Sequence, residues 1–444
     1  MTDRDNPSDQ AEESRVLEQA MRLHRAGRLE PAISIYRQVL EDNPDHPDAL
    51  HYLGMACHST GDFEQAIAHI GKALTIAPAY VEALNNLGVI YQSMGRLEEA
   101  ENCYSRVIEI RPEHSDSHNN LGVVLKSQGR LRDAGASFEQ ALALDPNHAR
   151  AHHNLGNLYR RAKHHDEAIF HFRAAIDAGL QTMEARQALV NALFNSGQRD
   201  EAVTALDEWL EVEPTHPIAL HMKAALQASQ APSRASDDYV KTVFDEMAGS
   251  FDEHLGDLGY RAPILLIDAL RAAVKPGAGG LRVLDAGCGT GLCGPLVQPL
   301  AAHLTGVDLS PKMLHRAQLT AAYDELYEAE LTDFLQHHQS VFDVIICADT
   351  LCYFGDLAEV SDAAVKSLKP GGHFLFTVEH LESGDDAGFA LNPNGRYGHT
   401  KQYVSDVLQQ AGFSAGSLDT EILRRESGKD VEGLVICASR PLAA

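Results

Sequence analysis

Prolines at 44, 78, 112, 146 and 214 keep a spacing of 34 residues, with Leu180 in the one place where proline is missing. A period of that length marks stacked supersecondary units, each unable to bury its apolar face alone. The third unit runs from Leu84 through Leu87, Gly88, Tyr91, Gly95, Ala100, Tyr104 and Val107 to Pro112. Leu87 and Tyr91 lie four apart on one helix face, Gly95 permits a turn, and Ala100 lets a second helix approach closely. The fourth unit repeats this with Leu121, Gly122, Leu125, Gly129, Ala134 and Phe138, and the fifth with Leu155, Gly156, Tyr159, Ala168 and Phe172. Gln19 in the first unit and Val190 in the sixth depart from the pattern, as terminal units do.

This run resembles the tetratricopeptide repeat family. Six repeats are expected over 13–216, preceded by a disordered acidic N-terminus over 1–12 and followed by a capping helix and linker over 217–231. Stacked hairpins of this kind form an all-α superhelical solenoid with an extended concave surface, so a protein or peptide partner is expected there. Asn86, Asn120 and Asn154 recur at one repeat position. The resemblance implies an asparagine ladder that holds an extended peptide by its backbone; alternatively, each amide satisfies a neighbouring group. The histidines, among them His118, His152, His153, His164 and His165, read as solvated or half-buried helix residues without metal-ligand spacing.

Charge and composition exclude several classes. The formal net charge is −26, with the acidic excess divided almost evenly between the two halves. Such a surface repels phosphate backbones, so neither nucleic acid nor an anionic membrane is an expected partner. No apolar run approaches the roughly 20 residues that span a bilayer. Seven cysteines without Cys-x-x-Cys spacing read as reduced, buried thiols, and a cytoplasmic chain without bound metal is expected.

After residue 231 the 34-residue pattern stops. Short apolar runs at 281–285, 303–307, 326–330, 342–347 and 373–378 alternate with helical stretches, as in a doubly wound parallel sheet. Two later runs, 418–423 and 433–438, read as a terminal antiparallel hairpin. The first strand, LRVLD, leads into AGCGTG, which places Gly287, Gly289 and Gly291 just after Asp285. Backbone passing close to a ligand at a strand's carboxyl end calls for glycine. Gly289, Gly291 and Gly294 also satisfy the dinucleotide fingerprint, with Asp308 about 20 residues on. A pyrophosphate would be repelled by Asp285, whereas S-adenosylmethionine carries an ammonium and a sulfonium and no phosphate.

With LTGVDLSPKML, YEAEL, FDVIICAD and LKPGG following in order, residues 236–440 resemble class I methyltransferases. The implied fold is an α/β Rossmann-like domain, a seven-stranded mostly parallel sheet, over 232–444. The implied cofactor is S-adenosylmethionine. Asp285, Gly287, Gly289 and Gly291 would form the turn around it, Asp308 with Leu309 would take the ribose, Glu330 and Leu331 the adenine, and Asp349 would border the methionine part. The stretches DDYVKTVFDEMAGSFDEHL, CADTLCYFGDL and RYGHTKQYV look like a bacterial group of tetratricopeptide-linked methyltransferases.

A helix over 239–251 is expected to cover the cofactor, with Tyr239 available to exclude water. A long polar insertion after the fifth strand carries Arg396, a candidate clamp for an anionic acceptor, and His399, a candidate general base. The fourth strand leads into DTLCYF, which disfavours amide and exocyclic-amine acceptors. The leading expectation is a methyltransferase whose repeats recruit a protein or peptide. The alternatives are a small-molecule or envelope-precursor methyltransferase with the repeats as an assembly scaffold, and a non-enzymatic protein that senses the cofactor.

Overall fold

The structure, a computed structural model, describes residues 7–227, 232–274, 280–382, 388–426 and 428–442. The chain divides into two compact units, Met1–Gln198 and Arg199–Ala444.

The first unit is all helix. It begins with α1 (Pro7–Arg25), α2 (Leu29–Asp42), α3 (Pro47–Ser59) and α4 (Phe63–Ile76). Then follow α5 (Val81–Ser93), α6 (Leu97–Ile110), α7 (Ser115–Ser127) and α8 (Leu131–Leu144). It closes with α9 (Ala149–Arg161), α10 (His165–Asp177) and α11 (Met183–Asn195). Within each pair the small residues do what their repetition implies. Ala66, Ala100, Ala134 and Ala168 are fully buried. At Gly122 a Cβ would lie 2.5 Å from the ring of Phe138, itself fully buried, so only glycine lets α7 and α8 come this close.

Several histidines have a specific task. His46, His114 and His148 each sit at a helix N-cap, and each ring Nδ1 accepts the backbone N–H of Ala49, Ser117 or Ala151. They satisfy N–H groups that a helix start leaves without partners. The expected asparagine positions do align, but their amides are spent between repeats. Asn120 donates to Asn85 at 3.2 Å and Asn154 to Asn119 at 3.0 Å. Asn86 pairs with His51 at 2.8 Å.

One boundary differs from expectation. Helix α1 starts at Pro7, so 7–12 belong to a helix and not to a disordered tail. Proline is tolerated in a first turn. Residues 1–6 and the linker 228–231 lie outside the described residues.

The second unit opens with α12 (Arg199–Val212), the second helix of the last expected repeat, and α13 (Pro217–Gln227), the expected closing helix. Helices α14 (Asp237–Met247), α15 (Phe251–Asp257) and α16 (Ala262–Ala273) lead to β1 (Leu281–Ala286). Next come α17 (Gly294–Val297), β2 (Ala301–Asp308), α18 (Pro311–Leu319) and β3 (Glu325–Glu328). The chain continues through α19 (Leu331–His337), β4 (Phe342–Cys347), α20 (Ala358–Ser367) and β5 (Leu368–His380). It ends with β6 (Phe389–Leu391), β7 (Tyr397–His399), α21 (Lys401–Gln410), β8 (Ser414–Glu426) and β9 (Lys429–Ser439).

The sheet order is β3-β2-β1-β4-β5-β7-β6, with β9 antiparallel to β5 and β8 antiparallel to β9. Strands β1 to β5 are mutually parallel, so the chain reverses its winding between β1 and β4. All seven expected strands are present. The insertion after β5 is not only loop: it contributes the short strands β6 and β7, because Phe389, Leu391 and Tyr397 have apolar surface to bury.

Two glycine substitutions separate packing from propensity. Gly122→Ala is expected to lower stability by about 1–3 kcal/mol through overpacking against Phe138. Gly71→Ala, on α4 with nothing within 4 Å of its Cβ position, is expected to raise it by about 0.5–1 kcal/mol. Urea unfolding of the full chain followed by circular dichroism reads both signs.

Candidate functional site

In an open parallel sheet, the strands diverge at their carboxyl ends where the winding reverses, and a crevice opens there. One cavity occupies that place. Asp285 near the end of β1 and Gly287 just after it, Asp308 at the end of β2 with Leu309 after it, and Asp349 and Thr350 after β4 all line it.

The β1 turn is held tightly. Backbone N–H groups of Gly287 and Cys288 both donate to the Val307 carbonyl, at 2.8 and 3.0 Å. At Gly287 φ is +72° and a Cβ would overlap Thr350 Oγ1 at 2.1 Å. Gly289 has φ +53°, and its Cβ position meets only the Phe251 ring, at 3.9 Å. The first glycine is demanded by packing, while the second leaves room beside the cavity. Gly291 does not line the cavity; its φ of +91° and the Tyr323 ring 3.0 Å from its Cβ position explain it as a turn residue.

Asp308 accepts the N–H groups of Gly289 at 2.9 Å and Ser310 at 2.8 Å. Burial pushes its pKa up, and those N–H donors oppose the rise. Asp285 is 1 % exposed and accepts the Tyr323 hydroxyl at 2.6 Å. Burial drives its pKa up to about 7, the Tyr323 bond pulls it down, and the nearby Asp308 charge adds to the rise.

Glu330 does not end a strand. It caps α19, accepting the Asp333 N–H at 2.8 Å, and its other oxygen takes Arg234 at 2.9 Å. Strand β3 stops at Glu328, and the cap places Glu330 and Leu331 on the cavity wall. Asp349 stands at φ +51° with its Oδ1 on the Thr377 hydroxyl at 2.9 Å and its Oδ2 on Arg424 at 2.8 Å.

Helix α14 covers the cavity, but through Val240 and Phe244, one turn apart on the same face. Tyr239, expected at the cofactor, does not line the cavity and instead stacks on His221, ring centroids 3.8 Å apart. Two acids, one on α14 and one on α15, fasten these helices to the turns beneath them. The Ser310 hydroxyl donates to Asp245 at 2.6 Å, and the Thr290 hydroxyl to Asp252 at 2.5 Å.

His399, the expected general base, lies outside the cavity lining. It is fully buried in β7, and its Nε2 donates to the Gly355 carbonyl at 3.0 Å. Burial, more than the bond to Gly355, sets its pKa, lowered to about 4. Arg396 lines the cavity but its guanidinium already meets Glu426 at 2.6 Å and Glu379 at 3.5 Å. Arg424, absent from the sequence reading, is 1 % exposed and joins Asp349, Glu379 and Glu426 in the same network. A register shift between Ile422 and Arg424 re-aims this residue inward, so strand alternation alone does not reveal it. The seven cysteines are all buried and free.

Comparison with known proteins agrees with both halves of the chain. The family described as "Methyltransferase domain" matches residues 284–374. The family described as "Tetratricopeptide repeat" matches 45–113, 80–147, 113–181 and 183–226. A ubiquinone biosynthesis O-methyltransferase of Xylella fastidiosa is 31% identical over 162 residues, which are 34% of this chain and 64% of that protein. The chain thus spans less than two thirds of that relative's length. Among solved structures, pilF of Pseudomonas aeruginosa has 21% identity and a TM-score of 0.44, covering 49% of this chain and 99% of that one. An S-adenosylmethionine dependent methyltransferase from Mesorhizobium loti has 26% identity and a TM-score of 0.32, covering 39% of this chain and 96% of that one.

The raised Asp285 pKa has a definite consequence for stability. Between about 3.8 and about 7 the folded chain holds a proton that the unfolded chain has lost, so this group's contribution falls as pH rises through that window. Asp285→Asn does not titrate. Without ligand, its melting temperature relative to the unsubstituted chain is expected to climb by several degrees from pH 4.5 to pH 8, read by differential scanning fluorimetry; a flat difference refutes the assignment.

Proposed function

From a chain in which tetratricopeptide repeats precede a methyltransferase domain of the S-adenosylmethionine-dependent class I kind, we propose an enzyme that binds S-adenosylmethionine in this cavity and methylates an acceptor held beside it. The observation that carries the reading is the placement of Asp285, Asp308 and the Gly287–Gly289 turn on one cavity at the point where the winding reverses. An anionic dinucleotide would face both carboxylates, and the arginines on the wall, Arg234, Arg396 and Arg424, already have acidic partners. A cationic donor suits the two acids.

In this reading Asp308 and Leu309 hold the ribose, Glu330 and Leu331 border the adenine, and Asp285 with Asp349 lies on the methionine side. Gly289 leaves the space that a side chain would fill. When bound, S-adenosylmethionine supplies a methyl group on a sulfonium, a leaving group that needs no further activation. The protein's task is then alignment, which can contribute about 7–11 kcal/mol. Val240, Phe244 and Phe251 exclude water from above, and the Arg424 network fixes Asp349.

The repeats, in the leading reading, recruit a protein or peptide that carries the acceptor. Small-molecule O-methylation is the second reading; the Xylella fastidiosa relative's name and the apolar cover favour it. The free, buried thiols suit a reducing compartment such as the cytoplasm.

Isothermal titration with S-adenosylmethionine tests the donor site. Asp308→Ala is expected to weaken binding roughly tenfold to a hundredfold, as loss of a charge-assisted hydrogen bond does. Binding of NAD with none of the methyl donor would overturn the reading. Tritiated methyl donor added to lysate distinguishes the acceptors, since label enters protein in the first case and small molecules in the second.

A further inference from the structure

We infer that α13, the closing helix of the repeat array, is part of the methyltransferase's own site, and that His221 on it is a positioning residue for two walls of the cavity. This rests on the methyl-donor reading above. His221 is 5 % exposed; burial lowers its pKa, the bond to Gly395 opposing, and its Nε2–H donates to the Gly395 carbonyl at 2.9 Å. The same ring stacks on Tyr239, interplanar angle 25°.

Each contact leads directly to a wall residue. Gly395 precedes Arg396, and the tip between β6 and β7 is stiff: Gly395 N–H donates to Asn392 O at 2.9 Å, Asn392 N–H to Arg396 O at 2.8 Å, and Arg396 N–H to Asn394 Oδ1 at 3.0 Å. A displaced Gly395 carbonyl therefore carries Arg396 with it, and with Arg396 its hold on Glu379 and Glu426, the acids shared with Arg424. Tyr239 precedes Val240, so the stack sets the rotation of α14 that aims Val240 and Phe244 at the cavity. At Gly395 a Cβ would lie 2.7 Å from the Tyr239 hydroxyl, which leaves no slack between the two contacts.

Helix α13 is itself anchored for this task. Ala225 packs with Leu391 and Tyr397 in one apolar cluster, and the Tyr397 hydroxyl donates to Pro232 O at 2.7 Å. Lys223 pairs with Asp207 of α12 at 2.5 Å, and Arg199 donates from Nε to Leu226 O at 2.7 Å, closing the helix end.

The test uses the full chain and three substitutions that divide the two contacts. Titration with S-adenosylmethionine reads the site; hydrogen exchange over 237–247 and 389–399 reads the two walls. His221→Ala is expected to raise the dissociation constant tenfold or more and to speed exchange in both segments. His221→Gln, whose amide nitrogen reaches the Gly395 carbonyl, restores protection of 389–399 and most of the affinity. His221→Phe keeps the stack and restores 237–247 alone. Should His221→Ala not fold, the opposite patterns of the Gln and Phe variants carry the test. Affinity within twofold of the unsubstituted chain despite faster exchange would reduce α13 to a prop and overturn the inference, as would unchanged exchange. Absence of S-adenosylmethionine binding by the unsubstituted chain, with the exchange pattern as expected, would sink the methyl-donor reading and leave the positioning role standing.

Discussion

The second unit depends on one carbonyl. Val307, near the end of β2, accepts two successive backbone N–H groups from the turn after β1, and this forces the chain at Gly287 against Thr350, which follows β4. Three strand ends are thereby locked together before any ligand arrives. Asp308, next to Val307, returns the constraint by accepting Gly289 N–H, so its carboxylate is oriented by the turn it helps to shape. Such a site is organised in advance, and little reorganisation remains to be offset by binding.

Buried charge is the second organising element. Arg424, almost without solvent itself, brings three carboxylates into one network, and Arg396 shares two of them. Burying ions is unfavourable unless every partner is present, so removal of one member costs more than any one pair contributes. The network gives the wall of the cavity a single geometry, including the left-handed Asp349, which for a residue other than glycine persists only when its surroundings hold it.

The repeat helices and all seven long strands were legible because they rest on periodicity. The 34-residue period and the alternation of apolar runs with helices are properties of the chain itself. The residues at strand ends, Asp285, Asp308, Leu309 and Asp349, were legible for a related reason: position in the topology puts them at the crevice. What escaped depends on the third dimension. His399 has the chemistry of a base, but a short strand turns it under Gly355. Tyr239 differs from Val240 by one step of helix rotation, and only packing decides which of them faces in. Arg424 needed a bulge, and the capping histidines needed helix starts placed to within one residue.

The anchoring of α13 also bears on how such a chain is assembled from parts. Linear order suggests two cassettes that meet near residue 230, each free to be exchanged. The contacts of His221 and Ala225 move the effective seam upstream, to the junction at Gln198 and Arg199. A graft that replaced the whole array up to about residue 230 would discard a piece of the neighbouring domain's architecture. Residues of the last hairpin thus take their packing constraints from the sheet that follows them as well as from the repeats they resemble.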